Sequence, residues 1–475
     1  MIAAGWCVMR CVGLGEVPAG LSTDETLSGL HVACLGEAGV SADGTPWPLF
    51  AKGISQGVYT PTYLYSLLAW TRVFGIWPAG IRGFSAFVTL LAIAGIGLLV
   101  RRMAGARAAR LAVVAAALSP WSFQIARLAV DAPMAPMFLV WGVYLFVRSP
   151  RPAWAAAGGI ALALAATTYP PLRVQVPLVT LLLLFVERQR LTRVRVGALF
   201  GAMLVASLPV LVRMLQGDLL ARSKELSIFN INYIKQHQGE LPTAVFVVKQ
   251  LMENLLDHLR PSYLFFTGDA NIRHSTQIVG EMGWLDILAL ICFVATMVTI
   301  VVRAFRADGA PGRPLSRNWL IALAAIAAGT FGTLPSALCW EGLPHAFRSI
   351  GTWPAIAVFT GVSLSAVWSR HRIVPIAALI LAIAQTVHFV PYYYGDYPKK
   401  SFDAWDGPLR AAARARDPVR FGEEVRKVRY DEVEFRYYLM LYFGDTCVSS
   451  RGNAERILNG LPSRQSGTLD AGKAR

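Results

Sequence analysis

The stretch 82–100, RGFSAFVTLLAIAGIGLLV, is apolar over almost its whole length and runs directly into Arg101 and Arg102. A helix needs about 20 mostly apolar residues to cross a bilayer. Basic residues that flank such a helix collect on the cytoplasmic side of the membrane. The stretch therefore predicts a membrane-spanning helix that ends in the cytoplasm.

Similar apolar stretches recur along the chain and predict about eleven spans, counting a short first one within 1–13. The composition agrees, because 55% of the residues are hydrophobic and only 16% are charged, whereas soluble domains carry about 25% charged residues. The predicted fold class is an all-α polytopic membrane protein. The other predicted spans are 109–128, 133–148, 153–169, 174–187, 195–214, 283–303, 319–337, 350–368 and 373–391.

Arginine clusters between these spans predict the orientation of the chain. All of them fall on one side, the cytoplasmic one, if the segment 59–76 is an interfacial helix that begins at Pro61. A genuine span at 59–76 is the alternative. The arginine clusters that set the topology account for the net charge of +16, so we expect no nucleic-acid partner. The clusters lie at 101–110, 148–151, 188–195, 303–317 and 370–372.

The segments on the other side predict outer loops at about 14–81, 215–282 and 338–349, within a transmembrane module 1–391. The tail, 392–475, predicts a small α/β extracytoplasmic domain, because its aromatic run 435–443 is strand-like.

The six cysteines show no metal-ligand spacing. Cys34, Cys339 and Cys447 fall in predicted outer segments, where one disulfide could form. Unpaired thiols are the favoured expectation.

Asp24 and Glu25 open an amphipathic helix just beyond the first predicted span. Ser22 with Glu25 three residues later is the pattern of a capping box, which stabilises a helix start. A carboxylate at the membrane surface could also act as a general base on an acceptor hydroxyl or amine. We predict Asp24 as this base, and both interpretations can hold together.

Arg127 and Asp131 lie on the short loop that follows a long uncharged stretch. A charge at this depth is costly and often has a function. Because a guanidinium can pair with two phosphate oxygens, we predict that Arg127 contacts a carrier phosphate and that Asp131 belongs to the same substrate-binding site. The alternative is an Arg127–Asp131 ion pair one helical turn apart that anchors the span.

Two later loops place histidine and arginine together at predicted membrane boundaries. One carries Asp269, Arg273 and His274, and the other carries His345 and Arg348. Cationic donors would stabilise the charge that develops on a departing lipid phosphate. A tight cluster of histidines and carboxylates at ligand spacing is not visible in the sequence, so we expect no cofactor and no obligatory divalent metal.

The order of several motifs resembles the GT-C superfamily of membrane glycosyltransferases, near the protein O-mannosyltransferases and the lipid A aminoarabinose transferase. The resemblance extends from about residue 13 to about residue 394. The motifs are PAGLSTDE (18–25), GVYTPTYLYSLLAWTRVFGI (57–76), SPWSFQIAR (119–127), FFTGDANIRH (265–274) and PHAFRSIGTWP (344–354).

The resemblance implies an inverting transferase that moves a sugar from a polyprenyl-phosphate carrier to a glycan, lipid or protein acceptor. It implies that Asp24 is the base, that Glu25 is its structural or substrate-orienting partner, and that Arg127 faces the phosphate. It also implies an active site on the extracytoplasmic face of the plasma (inner) membrane. A flippase or transporter of lipid-linked sugars and a polysaccharide polymerase or ligase are the alternatives.

Overall fold

The computed structural model describes residues 1–54, 57–216, 218–306, 316–428 and 432–459. Over these residues the chain is mostly helical and has one two-stranded antiparallel sheet, formed by β1 (Ala51–Lys52) and β2 (Val58–Tyr59). The helices are α1 (Ile2–Met9), α2 (Thr23–Ala38), α3 (Pro61–Phe74), α4 (Pro78–Ala104), α5 (Ala106–Leu118), α6 (Pro120–Ile125), α7 (Met134–Arg148), α8 (Pro152–Thr168), α9 (Leu172–Val186), α10 (Arg193–Leu215), α11 (Ala221–Leu226), α12 (Ile231–His237), α13 (Thr243–Asp257), α14 (Trp284–Arg306), α15 (Arg317–Ala337), α16 (Thr352–Val367), α17 (Ile373–Gly395), α18 (Tyr397–Lys400), α19 (Gly407–Arg414), α20 (Pro418–Val428), α21 (Glu432–Phe443) and α22 (Cys447–Leu458).

Five of the described helices are long and apolar enough to cross a membrane: α4, α10, α14, α15 and α17. Four shorter apolar helices, α7, α8, α9 and α16, lie where the sequence predicts further spans. The prediction of a helical integral membrane protein is confirmed, whereas the number of eleven spans stays a prediction. The 303–317 arginine cluster lies partly outside the described residues.

Two local signals in the sequence have clear structural counterparts. Helix α3 begins at Pro61, as predicted, because proline suits the first helical position, where its missing N–H is not needed. The predicted span 109–128 is interrupted, since α5 ends at Leu118 and α6 begins at Pro120. Ser119 caps the second helix by accepting a hydrogen bond from the Ser122 N–H at 3.2 Å.

The chain divides into two compact units. The first unit comprises 1–10, 87–126 and 132–392, and its helices pack through small residues. A Cβ atom on Gly159 of α8 would lie 2.3 Å from the Leu199 carbonyl of α10, so only glycine allows this close approach.

The second unit comprises 11–86, 127–131 and 393–475. The tail therefore packs with the first predicted outer loop, and α21 lies against α2. A Cβ atom on Gly29 of α2 would lie 2.5 Å from the ring of Tyr437, so glycine lets the two helices meet.

The prediction of strands in the tail is wrong, since the run 435–443 lies within helix α21 and the other described elements of the tail are helical. Aromatic residues have a high strand propensity, but tertiary packing overrides it. Phe435, Tyr438 and Tyr442 are spaced by three and four residues, which fits a helix. Phe435 and Tyr438 are both fully or almost fully buried.

Cys34 of α2 and Cys447 of α22 form a disulfide across 413 residues of sequence. The expectation of unpaired thiols is wrong for these two residues, because the tail folds back onto the first loop. Cys339 remains a free thiol.

Candidate active site

The start of α2 positions the acidic pair. The main-chain N–H and the hydroxyl of Ser22 donate to Glu25 Oε2 at 2.9 and 3.2 Å. The main-chain bond is one half of the predicted capping box. In the other half the Glu25 main-chain N–H donates to the Ser22 hydroxyl, and together they fix the first turn of the helix. Asp24 and Glu25, which follow each other in that turn, therefore point in different directions.

Glu25 is fully buried and is bonded on both carboxylate oxygens. Arg82, near the start of α4, donates to Oε1 from Nε at 2.7 Å. The main-chain N–H of Ala129 donates to the same oxygen at 3.0 Å. The Arg82 guanidinium also donates to the carbonyls of Leu14 and Pro18. This pair thus ties α2 to α4, to the 127–131 loop and to the chain that precedes α2.

The electrostatics of Glu25 match this structural role. Burial by itself would raise the pKa of Glu25, but the Arg82 guanidinium and the main-chain donors outweigh it and hold that pKa below its ordinary value. The sequence predicts Glu25 in the catalytic pair as the structural or substrate-orienting partner of Asp24. Its full burial and its bonds to Arg82 favour the structural role.

Asp24 has the opposite environment, since its side chain is exposed. Its main-chain carbonyl accepts a hydrogen bond from the Tyr59 hydroxyl at 3.1 Å. Burial raises the pKa of Tyr59 and of Tyr63 well above the ordinary value, and the charges of Asp24 and Asp131 add to the effect on both. Asp24 and the half-buried Asp131 therefore border the same pair of tyrosines.

Arg127 lies in surroundings that the sequence did not predict. Its guanidinium donates to the carbonyls of Val12, Gly13 and Val17 at 2.7–3.1 Å. It also donates to the hydroxyl of Tyr394 and lies over that ring at 5.3 Å. The side chain is fully buried, so this geometry favours a role in holding the chain before α2 over the predicted contact with a carrier phosphate.

The two later loops meet in the first unit and bring three predicted residues together. Asp269 Oδ2 lies 2.8 Å from His274 Nδ1 and accepts from the main-chain N–H of Ala346 at 2.8 Å. The rings of His274 and His345 lie 4.5 Å apart between centroids. We call Asp269, His274 and His345 the histidine cluster.

Buried groups surround the histidine cluster. Burial lowers the pKa of His345 well below its ordinary value, and the nearby His274, Arg348 and His258 lower it further. His345 is therefore neutral near pH 7. Burial also raises the pKa of Glu281, whose Oε1 accepts a hydrogen bond from the Asp269 N–H at 3.0 Å.

The two predicted arginines flank this cluster and are half-buried. The Arg348 main-chain N–H donates to His345 Nδ1 at 3.4 Å, and its guanidinium donates to the carbonyl of Glu341 at 2.6 Å. The carbonyl of Arg273 accepts from the Gln124 side chain at 2.9 Å. Phosphate binding by Arg273 or Arg348 stays a prediction, as does a substrate-binding role for Asp131.

Sequence reasoning missed Arg82, Glu281 and His258. A signal for Arg82 was present, since a charge within the first turns of a long apolar helix is costly and needs a partner. No such signal marks Glu281 or His258, whose surroundings depend on how the loops fold.

Part of this chain matches a known protein family in sequence. Residues 59–213 match the family model described as dolichyl-phosphate-mannose-protein mannosyltransferase. The predicted resemblance to membrane glycosyltransferases is confirmed. The match covers about a third of the chain and includes Arg127 and Asp131, whereas Asp24 and Glu25 precede it. No curated protein sequence matches the chain.

Solved structures similar to this chain include membrane glycosyltransferases of low sequence identity. One is ArnT from Cupriavidus metallidurans bound to undecaprenyl phosphate, with 14% identity and a TM-score of 0.43 over 96% of this chain and 76% of that one. Another is the Archaeoglobus fulgidus oligosaccharyltransferase in complex with Zn and sulfate, with 13% identity and a TM-score of 0.48 over 100% of this chain and 59% of that one. A third is the archaeal oligosaccharyltransferase AglB from Archaeoglobus fulgidus in complex with an inhibitory peptide and a dolichol-phosphate, with 12% identity and a TM-score of 0.44 over 99% of this chain and 61% of that one.

Proposed function

We propose that this protein is an inverting glycosyltransferase that moves a sugar from a polyprenyl-phosphate carrier to an acceptor outside the cytoplasm. The family match supports a glycosyltransferase that uses a lipid-linked donor. The observation that carries the proposal is the first turn of α2, where an exposed Asp24 is held in place by the buried bonds of Glu25.

Asp24 serves as the general base in this proposal. It takes the proton from the acceptor hydroxyl or amine as that group attacks the anomeric carbon of the sugar. The new bond to the acceptor forms on the face opposite the departing oxygen, so the configuration inverts. The bond between the anomeric carbon and the phosphate oxygen breaks, and the polyprenyl phosphate leaves with the electron pair.

A groove among the spanning helices of the first unit suits the carrier chain. The cavity measures about 110 Å³ and is lined mainly by aliphatic residues of α4, α7, α9, α15 and α16. Gln175 contributes a polar side chain there, and its amide donates to the Gly351 carbonyl at 2.9 Å. A polyprenyl chain is a hydrocarbon, so burial in such a groove contributes to affinity in proportion to the area covered.

The disulfide supports an extracytoplasmic location for the second unit. Disulfides form and persist in oxidising compartments and are rare in the cytosol. Cys34 lies in the same helix as Asp24, and both precede the arginine-flanked span at α4. The orientation given by the arginine clusters and the chemistry of the cysteines therefore agree.

Incubation of the purified full chain with polyprenyl-phosphate sugars tests the proposal. A panel of hexosyl and pentosyl donors is reconstituted with the protein and with cell-envelope extract as the acceptor source. We expect one donor to release free polyprenyl phosphate and to label an acceptor, with the opposite anomeric configuration in the product.

The same assay, with the protein reconstituted in sealed vesicles, also distinguishes a transferase from a flippase. Transfer of the intact donor to the opposite leaflet, without cleavage of the sugar–phosphate bond for any donor of the panel, would contradict the transferase. Growth of a long polymer from a single acceptor would instead indicate a polymerase.

A further inference from the structure

The second unit contains a cavity of about 480 Å³ near the end of α2 opposite Asp24. It lies among α2, α3, α21 and the turn 75–77, which joins α3 to α4. A cavity of this size, with apolar walls and a few polar groups, is typical of a site for a small molecule. Four of the apolar side chains that line it are buried, namely Val32, Ala33, Leu68 and Leu441.

Two exposed side chains of opposite charge line the same cavity. Arg72 of α3 donates from Nη2 to the Gly36 carbonyl at 2.8 Å, so its guanidinium lies beside the last turn of α2. Glu37 is the next residue of that turn, and its Oε2 accepts from the Cys447 N–H at 3.0 Å. Among the residues that the structure describes, Arg72 and Glu37 form no ion pair with each other. Each keeps bonding capacity for a ligand, because a guanidinium donates several hydrogen bonds and a carboxylate accepts several.

The cavity lies beside the start of a spanning helix. Trp77 lines the cavity and directly precedes α4, which begins at Pro78. Trp77, Phe74 and Val73 have 54%, 55% and 75% of their surface exposed. Exposed aromatic and apolar side chains next to a spanning helix are typical of the boundary between membrane and water. A lipid of the surrounding bilayer is therefore within reach of this cavity.

We propose that the cavity binds a zwitterionic amino-phospholipid, such as phosphatidylethanolamine. The lipid phosphate accepts hydrogen bonds from Arg72, and the lipid ammonium donates to Glu37. Such charge-assisted bonds are stronger than bonds between neutral groups. One acyl chain lies along the apolar walls, where its burial contributes to affinity in proportion to the area covered.

This site is separate from the candidate base. A helix rises about 1.5 Å per residue, so Glu37 lies about 20 Å along α2 from Asp24. The lipid is bound and not transformed there. The proposal therefore does not depend on the transferase reaction.

The two charges predict which headgroup binds. Phosphatidylglycerol has the phosphate but no ammonium, so it leaves Glu37 without a partner. Phosphatidylcholine has a fully methylated nitrogen, which cannot donate an N–H to that carboxylate. A neutral hexose is the alternative occupant, since its ring could stack on Trp77 and its hydroxyls could bond to Arg72 and Glu37. Two opposite charges together with apolar walls favour the lipid.

Native mass spectrometry of the full chain tests the selectivity. The protein is purified in a polyoxyethylene detergent, which has no sugar headgroup, and is delipidated. It is then titrated separately with the palmitoyl-oleoyl forms of phosphatidylethanolamine, phosphatidylglycerol and phosphatidylcholine. We expect one tightly retained phosphatidylethanolamine per chain, bound at least about 10-fold more tightly than the other two lipids, because one charge-assisted bond is lost with each of them. Equal affinity of the wild type for all three lipids would overturn the proposal.

Variants of the two charged residues locate the site. Arg72→Gln should weaken the binding of both phosphatidylethanolamine and phosphatidylglycerol by about 10-fold, because the phosphate loses its partner. Glu37→Gln should weaken phosphatidylethanolamine by a similar factor and leave phosphatidylglycerol unchanged. Arg420→Gln and Glu455→Gln, which replace exposed residues elsewhere in the second unit, should bind all three lipids as the wild type does. Unchanged phosphatidylethanolamine binding in folded Arg72→Gln and Glu37→Gln would overturn the assignment.

Methyl hexosides distinguish a lipid site from a sugar site. The wild type is titrated with a panel of them under the same conditions, and we expect no retained hexoside. A hexoside that binds to the wild type, is lost in Trp77→Ala and is not displaced by phosphatidylethanolamine would indicate a sugar site and overturn the proposal.

Discussion

The exposed face and the buried face of the first turn of α2 carry adjacent carboxylates with opposite environments. Asp24 faces outward, whereas Glu25 has no exposed surface and pairs with Arg82 at 2.7 Å. A helix turns by about 100° per residue, so neighbouring positions face different sides. An acidic pair in a sequence is therefore not one functional unit, since burial divides it into a candidate base and a structural anchor.

The largest effect should come from removing the anchor. Glu25→Ala leaves the Arg82 charge buried without its partner, which costs about 3–5 kcal/mol of unfolding free energy. We expect a large fall in Tm and little folded protein. The measurement is thermal unfolding in detergent, with Glu16→Gln as the control, because the Glu16–Arg414 pair is exposed and such pairs contribute about 0–1 kcal/mol.

A compensating variant sharpens this result. Replacement of both Glu25 and Arg82 by leucine removes the two buried charges together, so stability should recover relative to Glu25→Ala. A Glu25→Ala protein with wild-type Tm and no activity would contradict the structural role of Glu25, because Glu25 would then act in the chemistry rather than in the fold.

The next effect concerns the disulfide that joins α2 to the tail. Cys34→Ser with Cys447→Ser should lower the stability of the second unit by about 2–4 kcal/mol, since the bond restricts the unfolded chain. Reductant should lower the Tm of the wild type to about that of the double variant, and it should leave the Tm of the double variant unchanged. Cys339→Ser, which removes a free thiol, is the control. Insensitivity of the wild type to reductant would contradict the pairing.

A smaller effect should follow from Arg127→Lys. A lysine ammonium cannot span three carbonyls as the planar guanidinium does, and the lost bonds to a charged group are worth about 1.5–3 kcal/mol. We therefore expect a lower Tm. If Arg127 binds the carrier phosphate instead, the variant should keep its Tm and show a raised KM for the donor, so the two readouts separate these roles.

The sequence predicted those parts of this structure that depend on local pattern. Apolar length predicted the spanning helices, Pro61 predicted the start of α3, and Ser22 with Glu25 predicted a capping box, because each signal involves residues near one another in the chain. The strand-like run 435–443 misled the prediction because its burial against α2 depends on distant contacts.

The features that the sequence did not predict depend on contacts between residues that are far apart in the chain. The Cys34–Cys447 bond, the Glu25–Arg82 pair and the histidine cluster join segments 413, 57 and up to 76 positions apart. The sequence motifs indicated Asp269, His274 and His345 separately, without showing that their side chains lie close together. Their mutual proximity depends on how two distant loops fold, so no local pattern in the sequence predicts it, and the expectation that no metal is needed stays a prediction.

The most direct test of the account is the transfer rate of Asp24→Asn. Amide for carboxylate keeps the size of the side chain and removes only the base, so we predict that turnover falls by about 10²–10⁴-fold while the Tm stays within experimental error of the wild type. Asp403→Asn, another exposed acid of the second unit, should retain full activity. Sugar transfer by Asp24→Asn at the wild-type rate would contradict the assignment of the base and, with it, the division of labour between Asp24 and Glu25.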